Sequence, residues 1–151
     1  IAAGVKKTDQ VAESMVHNIL KTIVAFMNTD GGVIVIGIHD EGEILGLTEI
    51  GNTFDSYDKM DLWFGQKFNH YLESHLSACC RWRKETYKNK ELMLIKVDLL
   101  KNAPALIRKS KTSIETEMYI RQGAAKKKLG ATEMIDYCSI RFLKWLQTKV
   151  D

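Results

Sequence analysis

Apolar residues recur near the start of the chain with the period of an amphipathic helix. Between about Gln10 and Asn28, six of them would share one helical face: Met15, Ile19, Leu20, Ile23, Val24 and Met27. Residues 28–32, Asn-Thr-Asp-Gly-Gly, should end this helix, because glycine and asparagine tolerate the left-handed backbone of a helix stop. We interpret them as a tight turn in which Asn28 bonds local backbone, in preference to a phosphate cradle.

The next apolar run, Val-Ile-Val-Ile-Gly-Ile at residues 33–38, is rich in β-branched side chains and has no polar interruption. That composition is typical of a strand buried on both faces, and we expect it to be the central strand of a sheet. Residues 39–42, His-Asp-Glu-Gly, predict a tight turn, and residues 43–47 would return as the second arm of a hairpin. Asp40 and Glu41 would then lie at the tip of that hairpin.

A second helix is expected in the middle of the chain. Ser56 or Asp58 can cap it, and the apolar pattern continues to about Leu76. Its buried contacts would come from Leu62, Phe64, Phe68, Tyr71, Leu72 and Leu76. The helical spacing of these residues predicts one apolar face.

Two strand-like runs follow, at residues 79–87 and 91–99, and residues 88–90 between them predict a hairpin turn. The residues expected to face inward are Leu92, Leu94 and Val97. Short strands should follow near residues 105–108 and 118–121. The pattern therefore predicts several antiparallel partners in the second half of the chain.

A closing helix should begin at Thr132 and run to about Val150. Its buried side would carry Ile135, Cys138, Phe142 and Trp145 or Leu146. The order αββαββββα predicts an α+β fold, with a mixed or antiparallel sheet packed against about three helices. We expect one domain over residues 1–151, and the start at Ile1 rather than Met is consistent with excision from a longer chain.

The charge is unevenly distributed, although the net charge is only +3. Residues 1–75 contain 5 Lys/Arg against 11 Asp/Glu, and residues 76–151 contain 17 against 8, so the halves carry −6 and +9. A strongly basic half suggests a surface for a polyanion. It is also compatible with a solvated lysine face or with a dock for an acidic partner.

Three cysteines, Cys79, Cys80 and Cys138, are poor material for a disulfide framework because their number is odd and two are adjacent. They indicate a reducing compartment, which we expect to be the cytoplasm, with the nucleus as an alternative. No run of 18 apolar residues occurs, so we expect no association with a membrane.

Residues 25–47, AFMNTDGGVIVIGIHDEGEILGL, resemble the most recognisable segment of the Schlafen AlbA-like domain family. Lys96-Val97-Asp98, residues 104–107 and residues 119–123 are similar to later elements of that family. The resemblance implies an AlbA-like α+β fold and binding of nucleic acid. The family includes bacterial and archaeal proteins described as DNA-binding, and animal Schlafens whose paired lobes form a groove that cleaves structured RNA.

Catalysis in the nucleolytic members of the family uses a carboxylate cluster that binds divalent metal. Asp40 matches the aspartate of that cluster, but the two glutamates expected before the first helix are not visible, and Glu13 lies too far into the helix to replace them. Either the acidic strand lies upstream of Ile1, or the chain is a non-catalytic lobe that pairs with an active one. We favour the second explanation, in which Mg²⁺ or Mn²⁺ is needed only if a composite site forms. Without the glutamates, Asp40 and Glu41 are adequately explained as turn residues.

A zinc site is a further candidate, because the resemblance implies histidine and adjacent cysteines as ligands. His75, Cys79 and Cys80 would supply three of them. Structural zinc normally has four nitrogen or sulfur ligands, and residues 98–100 contain no further cysteine. We therefore interpret Cys79 and Cys80 as buried thiols.

The candidate phosphate contacts are basic residues of the second half: Arg81, Arg83, Arg108, Lys109, Lys111, Arg121, Lys126, Lys127 and Lys128. Arg121 is the foremost of these, because it matches a family position and a flexible basic loop, residues 126–128, is expected beside it. Trp82 should point to the face opposite Arg81 and Arg83, because side chains alternate along a strand. The spacing GxxxxGK[ST] does not occur, which argues against nucleotide hydrolysis.

These residues and the family resemblance together predict an RNA-binding lobe or subunit. It would pair with another Schlafen-like domain, as a homo- or hetero-oligomer, into a metal-dependent endoribonuclease for tRNA or small-RNA precursors. The lobe itself would be non-catalytic. The alternatives are a DNA-binding regulatory domain and a protein-interaction or scaffolding subunit.

Overall fold

A computed structural model of the chain describes residues 2–37 and 57–150, with side chains from residue 13 onward. The elements, in chain order, are α1 (Ala2–Met27), β1 (Gly32–Ile36), α2 (Tyr57–Tyr71), a short 3₁₀ helix (Ser74–Cys79), β2 (Cys80–Tyr87), β3 (Lys90–Val97), β4 (Ile107–Arg108), β5 (Thr116–Gln122), β6 (Ala125–Leu129), α3 (Ala131–Arg141) and α4 (Leu143–Val150). The predicted α+β class is confirmed. The predicted hairpin that carries Asp40 and Glu41, and the predicted cap Ser56, lie outside the described residues.

The described strands form two antiparallel three-stranded sheets rather than one. The first sheet has the order β1-β3-β2 and the second has the order β4-β5-β6. The strand at the centre of the first sheet is therefore β3, and the prediction that β1 is central is wrong for the described strands. We call the two the first and the second sheet.

Only one face of β1 is buried, which corrects the prediction of burial on both faces. Val33 and Val35 are 54% and 37% exposed, whereas Ile36 is 7% exposed. The register explains the difference, because Val33 lies opposite Lys96 and Val35 opposite Leu94 on the outer face of the first sheet. An uninterrupted apolar run therefore does not by itself establish that both faces of a strand are covered.

The β2–β3 hairpin turns at Lys88 and Asn89, which both have positive φ, as expected for a two-residue turn. Across β3 the inward side chains are Met93, Ile95 and Val97. Leu92 is buried as predicted, but Leu94 is only half-buried, because it shares the outer face with Lys96.

The main core forms where α1 and α2 pack against the two sheets. On α1, Val16, Leu20, Ile23 and Met27 are fully buried, while the predicted core residue Met15 is only half-buried. On α2 the buried row is Met60, Phe64, Phe68 and Tyr71, spaced three and four residues apart. The prediction for Leu62 is wrong: it is 65% exposed, because it lies two residues from Met60 and Phe64 and so points to another side of the helix.

A second, smaller core joins the second sheet to the closing helices. It contains Met118, Ile120, Leu129, Cys138 and Phe142. The closing helix is divided at Phe142 (φ −128°, ψ 44°), so the prediction of one continuous helix is wrong. Ile135, predicted to be buried, is 54% exposed, because Met134, one turn before Cys138, contacts the core instead.

The end of α1 is held by Asn28, which is buried without measurable exposure. Its Nδ2 donates to the carbonyls of Ala105 (2.9 Å) and Tyr119 (3.0 Å), and its Oδ1 accepts from the Ala105 N–H (2.7 Å). The structural role predicted for Asn28 is therefore confirmed, but its partners are distant rather than local backbone. Gly31, with φ +71°, completes the predicted helix stop. Among the helices described, none has the length and apolar composition to span a membrane.

Candidate nucleic-acid interface

The outer face of the first sheet carries Arg81 and Arg83 side by side, as strand alternation predicts. Arg81 lies 3.8 Å from Asp98 and Arg83 lies 2.7 Å from Glu85, and all four side chains are at least 45% exposed. Lys96, which no sequence pattern singled out, lies directly opposite Arg81 in the strand register. Such exposed ion pairs are weak, so both guanidinium groups can exchange a carboxylate for a phosphate at small cost.

Trp82 points away from these arginines, as predicted. Its indole packs edge-on against Phe64, with ring centroids 4.8 Å apart, and its Nε1 donates to Asp61 at 2.5 Å. The ring therefore packs against the core and is not placed to stack on a base. Beside it, Arg81, Arg83, Lys96, Leu94 and Ser77 line a shallow pocket of about 670 Å³ on the outer face.

The loop between β4 and β5 gathers a second group of cations. Arg108 and Lys111 line a pocket of about 300 Å³ together with Asn69, His70 and Thr112. The main chain of β4 just before this loop reaches α1, because His17 Nε2 lies 3.2 Å from the Arg108 carbonyl oxygen. Lys109 instead approaches Glu115 at 3.9 Å. Of the three predicted loop cations, Arg108 and Lys111 are therefore the two brought together.

Residues 126–128 form part of a regular strand, which corrects the prediction of a flexible basic loop. In β6, Lys126 pairs with Arg121 of β5, Lys127 with Ile120, and Lys128 with Tyr119. The alternation of β6 separates the three lysines. Lys127 turns toward α3 and pairs with Glu133 at 2.6 Å, and Lys128 pairs with Glu117 at 3.0 Å.

Lys126 lies instead against α1, where its partners are all uncharged. Its ammonium donates to the Asn18 carbonyl oxygen (3.1 Å), to Asn18 Oδ1 and to Thr22 Oγ1 (3.3 Å). Arg121, beside it, places its guanidinium 4.9 Å from the centroid of the Phe26 ring. Lys21 of α1 completes the group and lies 5.6 Å from the centroid of Tyr119. We call Lys21, Arg121 and Lys126 the junction cluster.

The junction cluster brings three positive charges together where α1 meets β5 and β6. Burial lowers the pKa of Lys126, and the charges of Lys21 and Arg121 lower it further. None of the three cations is within 4.0 Å of a carboxylate among the residues that the structure describes. Repulsion between like charges therefore opposes folding at this point, and a bound anion would relieve it.

The importance of Lys21 could not be read from its sequence position, because it lies in the acidic half of the chain. It becomes significant only because α1 packs across β5 and β6. The one sequence signal is its position four residues after His17 and one before Thr22, on the polar flank of an amphipathic helix.

The described residues offer no set of ligands for Mg²⁺, Mn²⁺ or zinc: no group of three or more His, Cys, Asp or Glu in this part of the chain could hold a metal ion. Asp40 lies outside it. His75 is 72% exposed near Glu73, whereas burial raises the pKa of the Cys80 thiol to about 12. Cys79 is half-buried, so the three zinc candidates do not share one environment.

Glu13 is engaged in a structural interaction between α1 and α2. It lies 2.6 Å from the ammonium of Lys67 and accepts a hydrogen bond of 2.7 Å from the Tyr71 hydroxyl. Both partners belong to α2. Its carboxylate therefore links α1 to α2.

Comparison with known proteins identifies the family of the chain. A family model described as "Schlafen, AlbA_2" matches residues 4–130. Among solved structures, the chain is similar to the DIP2311 protein from Corynebacterium diphtheriae, with a TM-score of 0.54 and 16% sequence identity. The match covers 88% of this chain and 20% of that protein, so the chain spans about a fifth of its length, and the likeness shows the fold alone. No curated protein matches the chain.

Proposed function

Because the chain belongs to the Schlafen AlbA_2 family, we propose that it is a nucleic-acid-binding domain that holds RNA by its phosphates. The observation that carries this proposal is the junction cluster, where Lys21, Arg121 and Lys126 meet without a carboxylate partner among the described residues. Cations without a carboxylate partner give up no ion pair when they bind a phosphate. Cations in ion pairs, such as Lys127 and Lys128, must first give up Glu133 and Glu117.

Contacts with neighbouring residues hold the side chains of the junction cluster in place. Thr29 Oγ1, just after α1, accepts a hydrogen bond of 3.0 Å from the Arg121 backbone N–H. Asn18 and Thr22 hold the Lys126 ammonium, and the Phe26 ring supports the Arg121 guanidinium. Less side-chain entropy is lost when an anion binds to groups that are already ordered, so these contacts favour binding.

At a finer level, we propose that the chain serves as one lobe and pairs with another Schlafen-like domain. The pair would form a composite, metal-dependent endoribonuclease for tRNA or small-RNA precursors, with the Mg²⁺ or Mn²⁺ ligands supplied mainly by the other lobe. This lobe would be non-catalytic, because the two glutamates expected before the first helix are not visible in the sequence. Three free cysteines support a reducing compartment, the cytoplasm.

A second candidate, a protein-interaction subunit, is favoured by the outer face of the first sheet. Val33 and Val35 are exposed there beside Leu94, and Arg81, Arg83 and Lys96 adjoin this apolar strip. An apolar centre with a basic border suits an acidic protein partner. The third candidate, a DNA-binding regulatory domain, would use the same phosphate contacts as RNA and differs only in the preferred nucleic acid.

The test is binding of fluorescently labelled RNA, measured by anisotropy between about 50 and 200 mM salt. We expect Arg121→Ala to weaken binding by about 1 kcal/mol for every RNA sequence and to reduce the salt slope by about one contact. Lys101→Ala is the matched control, because it removes one charge from an exposed loop outside the cluster. Circular dichroism of each variant establishes that it is folded.

The outcomes separate the candidates. Binding that does not change with salt, or that Arg121→Ala and Lys101→Ala weaken equally, contradicts a phosphate site at the junction cluster. If Arg83→Ala lowers the RNA affinity and Arg121→Ala does not, the nucleic acid binds on the outer face of the first sheet instead. DNA of the same sequence, if bound more tightly than RNA, favours the regulatory domain.

A further inference from the structure

β2 forms one edge of the first sheet. The order β1-β3-β2 leaves one side of β2 without a neighbour among the described strands. In the part of the chain that the structure describes, residues 81–87 make no main-chain hydrogen bond apart from their pairing with β3. We call this free side of Cys80–Tyr87 the β2 edge, and Arg83, Lys84, Thr86 and Tyr87 are exposed along it. An exposed edge strand can accept a further strand through its main chain.

The hairpin turn determines which residues of β2 bond β3. Lys88 and Asn89 both have positive φ and form a two-residue turn, so Tyr87 and Lys90 face each other as a hydrogen-bonded pair. Hydrogen-bonded and non-hydrogen-bonded pairs alternate along an antiparallel ladder. The odd-numbered residues of β2 therefore bond β3, and the even-numbered residues direct their N–H and C=O groups to the β2 edge.

The first even-numbered residue agrees with this alternation. The Cys80 N–H donates to the carbonyl oxygen of Ser77, outside the sheet. Beyond it, Trp82, Lys84 and Thr86 have no such main-chain partner among the described residues. Their N–H and C=O groups therefore offer a site where a second strand can be added to the sheet.

The outer-face side chains of β2 are complementary to their own reverse order. Arg81, Arg83, Glu85 and Tyr87 share this face. Charged residues on an edge strand usually oppose pairing. In an antiparallel copy centred on Lys84, however, Arg83 lies opposite the partner's Glu85, and Arg81 lies opposite the partner's Tyr87. Two-fold symmetry forms each contact twice, so ion pairs and cation–π contacts take the place of repulsion.

The neighbouring registers lack this complementarity. A pair centred one residue earlier places Arg83 opposite the partner's Arg83, and a pair centred one residue later places Glu85 opposite the partner's Glu85. The register centred on Lys84 also brings two lysines together, but on the inner face, where each Lys84 already lies 3.4 Å from Glu91 of its own chain.

The register centred on Lys84 also forms the most main-chain hydrogen bonds. Trp82 then faces the partner's Thr86, Thr86 faces the partner's Trp82, and Lys84 faces its own copy. These three pairs join the residues whose N–H and C=O groups point to the β2 edge, and together they exchange about six hydrogen bonds.

We infer that two copies of this chain pair through the β2 edge, antiparallel and centred on Lys84. The first sheets of the two copies would then join into one continuous sheet. The two-fold axis would stand perpendicular to that sheet, so Arg81, Arg83 and Lys96 of both copies would face the same side. This inference rests on the proposed pairing of two lobes and specifies the second lobe as a copy of this chain. It does not involve the junction cluster, so pairing and RNA binding can fail independently.

The first test is sedimentation equilibrium of the wild-type chain and of two variants of Thr86. Thr86→Pro removes an outward N–H and leaves the bonds to β3 intact, because proline is tolerated where the N–H of an edge strand faces solvent. We expect it to raise the dissociation constant of the dimer about tenfold, since a hydrogen bond is lost on each copy. Thr86→Ala is the matched control, because it keeps the N–H and should dimerise like the wild type. Circular dichroism of each variant establishes that it is folded.

The second test exchanges charges on the outer face. Arg83→Glu should weaken the dimer about tenfold, because it places like charges opposite each other twice. Adding Glu85→Arg to this variant should restore dimerisation, since both contacts form again with their charges reversed. Lys96→Glu, on the central strand of the same face, is the control and should leave the dimer unchanged.

Disulfide formation tests the register. Lys84→Cys should form an intermolecular disulfide on mild oxidation, because the Cα atoms of a hydrogen-bonded pair lie about 5.5 Å apart. Arg83→Cys should not, because it faces the partner's Glu85. The wild-type chain, oxidised in parallel, accounts for any disulfide formed by the native cysteines.

Each outcome bears on one claim. A wild-type chain that sediments as a monomer, or a dimer that Thr86→Pro and Thr86→Ala affect equally, overturns the pairing. A disulfide in Arg83→Cys but not in Lys84→Cys overturns the register. If Thr86→Pro is unfolded, the charge exchange decides, and a dimer that Arg83→Glu leaves unchanged overturns the pairing. A dimer that behaves as expected but binds no RNA contradicts the phosphate site at the junction cluster and supports the pairing.

Discussion

Asn28 joins three parts of the molecule through one buried amide. Its side chain bonds three main-chain groups, the N–H and carbonyl oxygen of Ala105 and the carbonyl oxygen of Tyr119. Its main-chain carbonyl oxygen accepts a hydrogen bond of 2.6 Å from the Tyr137 hydroxyl. Nearby, the carbonyl oxygen of Thr29 accepts from Arg141. The end of α1 is thereby fixed against both the second sheet and α3. Because Arg121 bonds Thr29, the same contacts determine where the junction cluster forms.

We expect Asn28→Ala to destabilise the protein by about 3 kcal/mol, because it leaves two carbonyls and one N–H buried without partners. The measurement is urea unfolding followed by circular dichroism. Asn102→Ala, in an exposed loop, is the matched control and should change stability by less than about 0.5 kcal/mol. A loss below about 1 kcal/mol for Asn28→Ala would mean that water replaces the amide and that the network is not structural.

At the scale of elements, the turn from α1 to β1 depends on a close approach of two backbones. Gly31 has φ +71°, and a Cβ built there would lie 2.7 Å from the Val97 carbonyl oxygen. Gly123, in the β5–β6 turn, has φ +61° and would have no atom within 4 Å of a Cβ. A comparison of substitutions at the two glycines therefore separates the cost of a positive φ from the cost of a steric clash.

We expect Gly123→Ala to cost about 1 kcal/mol, which is the penalty for an L-residue in the left-handed region. Gly31→Ala should cost about 3 kcal/mol, because the clash with a strand backbone is added. Thermal or urea unfolding of the two variants checks the difference. Equal losses would show that the α1–β1 turn relaxes, and that the approach to β3 does not require glycine.

The pairing of β6 with β5 determines where the three lysines of β6 point. Strand alternation sends Lys127 to α3, but sends Lys126 and Lys128 to the side of α1. A flexible loop would leave all three ammonium groups in solvent. The strand instead turns the half-buried Lys126 toward α1 beside Arg121, where it hydrogen-bonds Asn18 and Thr22 and lies within 4.0 Å of none of the described carboxylates. This arrangement creates the junction cluster.

In the whole molecule, α1 contributes Lys21 to the junction cluster and also makes the contacts that hold the two sheets and α2 together. It packs on β5 through the main core and on α2 through Glu13, whose partners are Lys67 and Tyr71. Burial would raise the pKa of Glu13, but the hydrogen bonds from Lys67 and Tyr71 and the charges of Lys67 and Lys111 lower it below the ordinary value of 4.5. A lowered carboxyl pKa stabilises the fold above the ordinary pKa, and this stability is lost as the pH falls through the folded-state pKa.

We therefore expect the wild-type free energy of unfolding to decrease as the pH falls below about 4.5, and Glu13→Gln to show a smaller decrease. At pH 7 the variant should be less stable by about 2 kcal/mol, because the hydrogen bonds lose a charged acceptor. Urea unfolding at pH 7, 5 and 3.5 provides the comparison. Glu91→Gln, whose exposed carboxylate lies 3.4 Å from Lys84, is the control and should follow the wild type.

Most elements could be predicted from the sequence, since helix and strand periods are local properties of the chain. The end of α1, the β2–β3 hairpin and the α+β class were predicted correctly. The errors concern burial: Leu62 and Ile135 are exposed, and β1 is covered on one face only. Burial depends on which element lies opposite, and a hydrophobic residue carries no information about its neighbour.

The sequence by itself determined the family, the paired arrangement of Arg81 and Arg83 opposite Trp82, and the excess of cations in the second half. Only the tertiary structure decided which cations act together. It paired Lys127 and Lys128 with carboxylates, turned Lys126 toward α1 and brought Lys21 from the acidic half beside Arg121. The physical reason is that charges interact through distance in space, whereas the sequence specifies only separation along the chain.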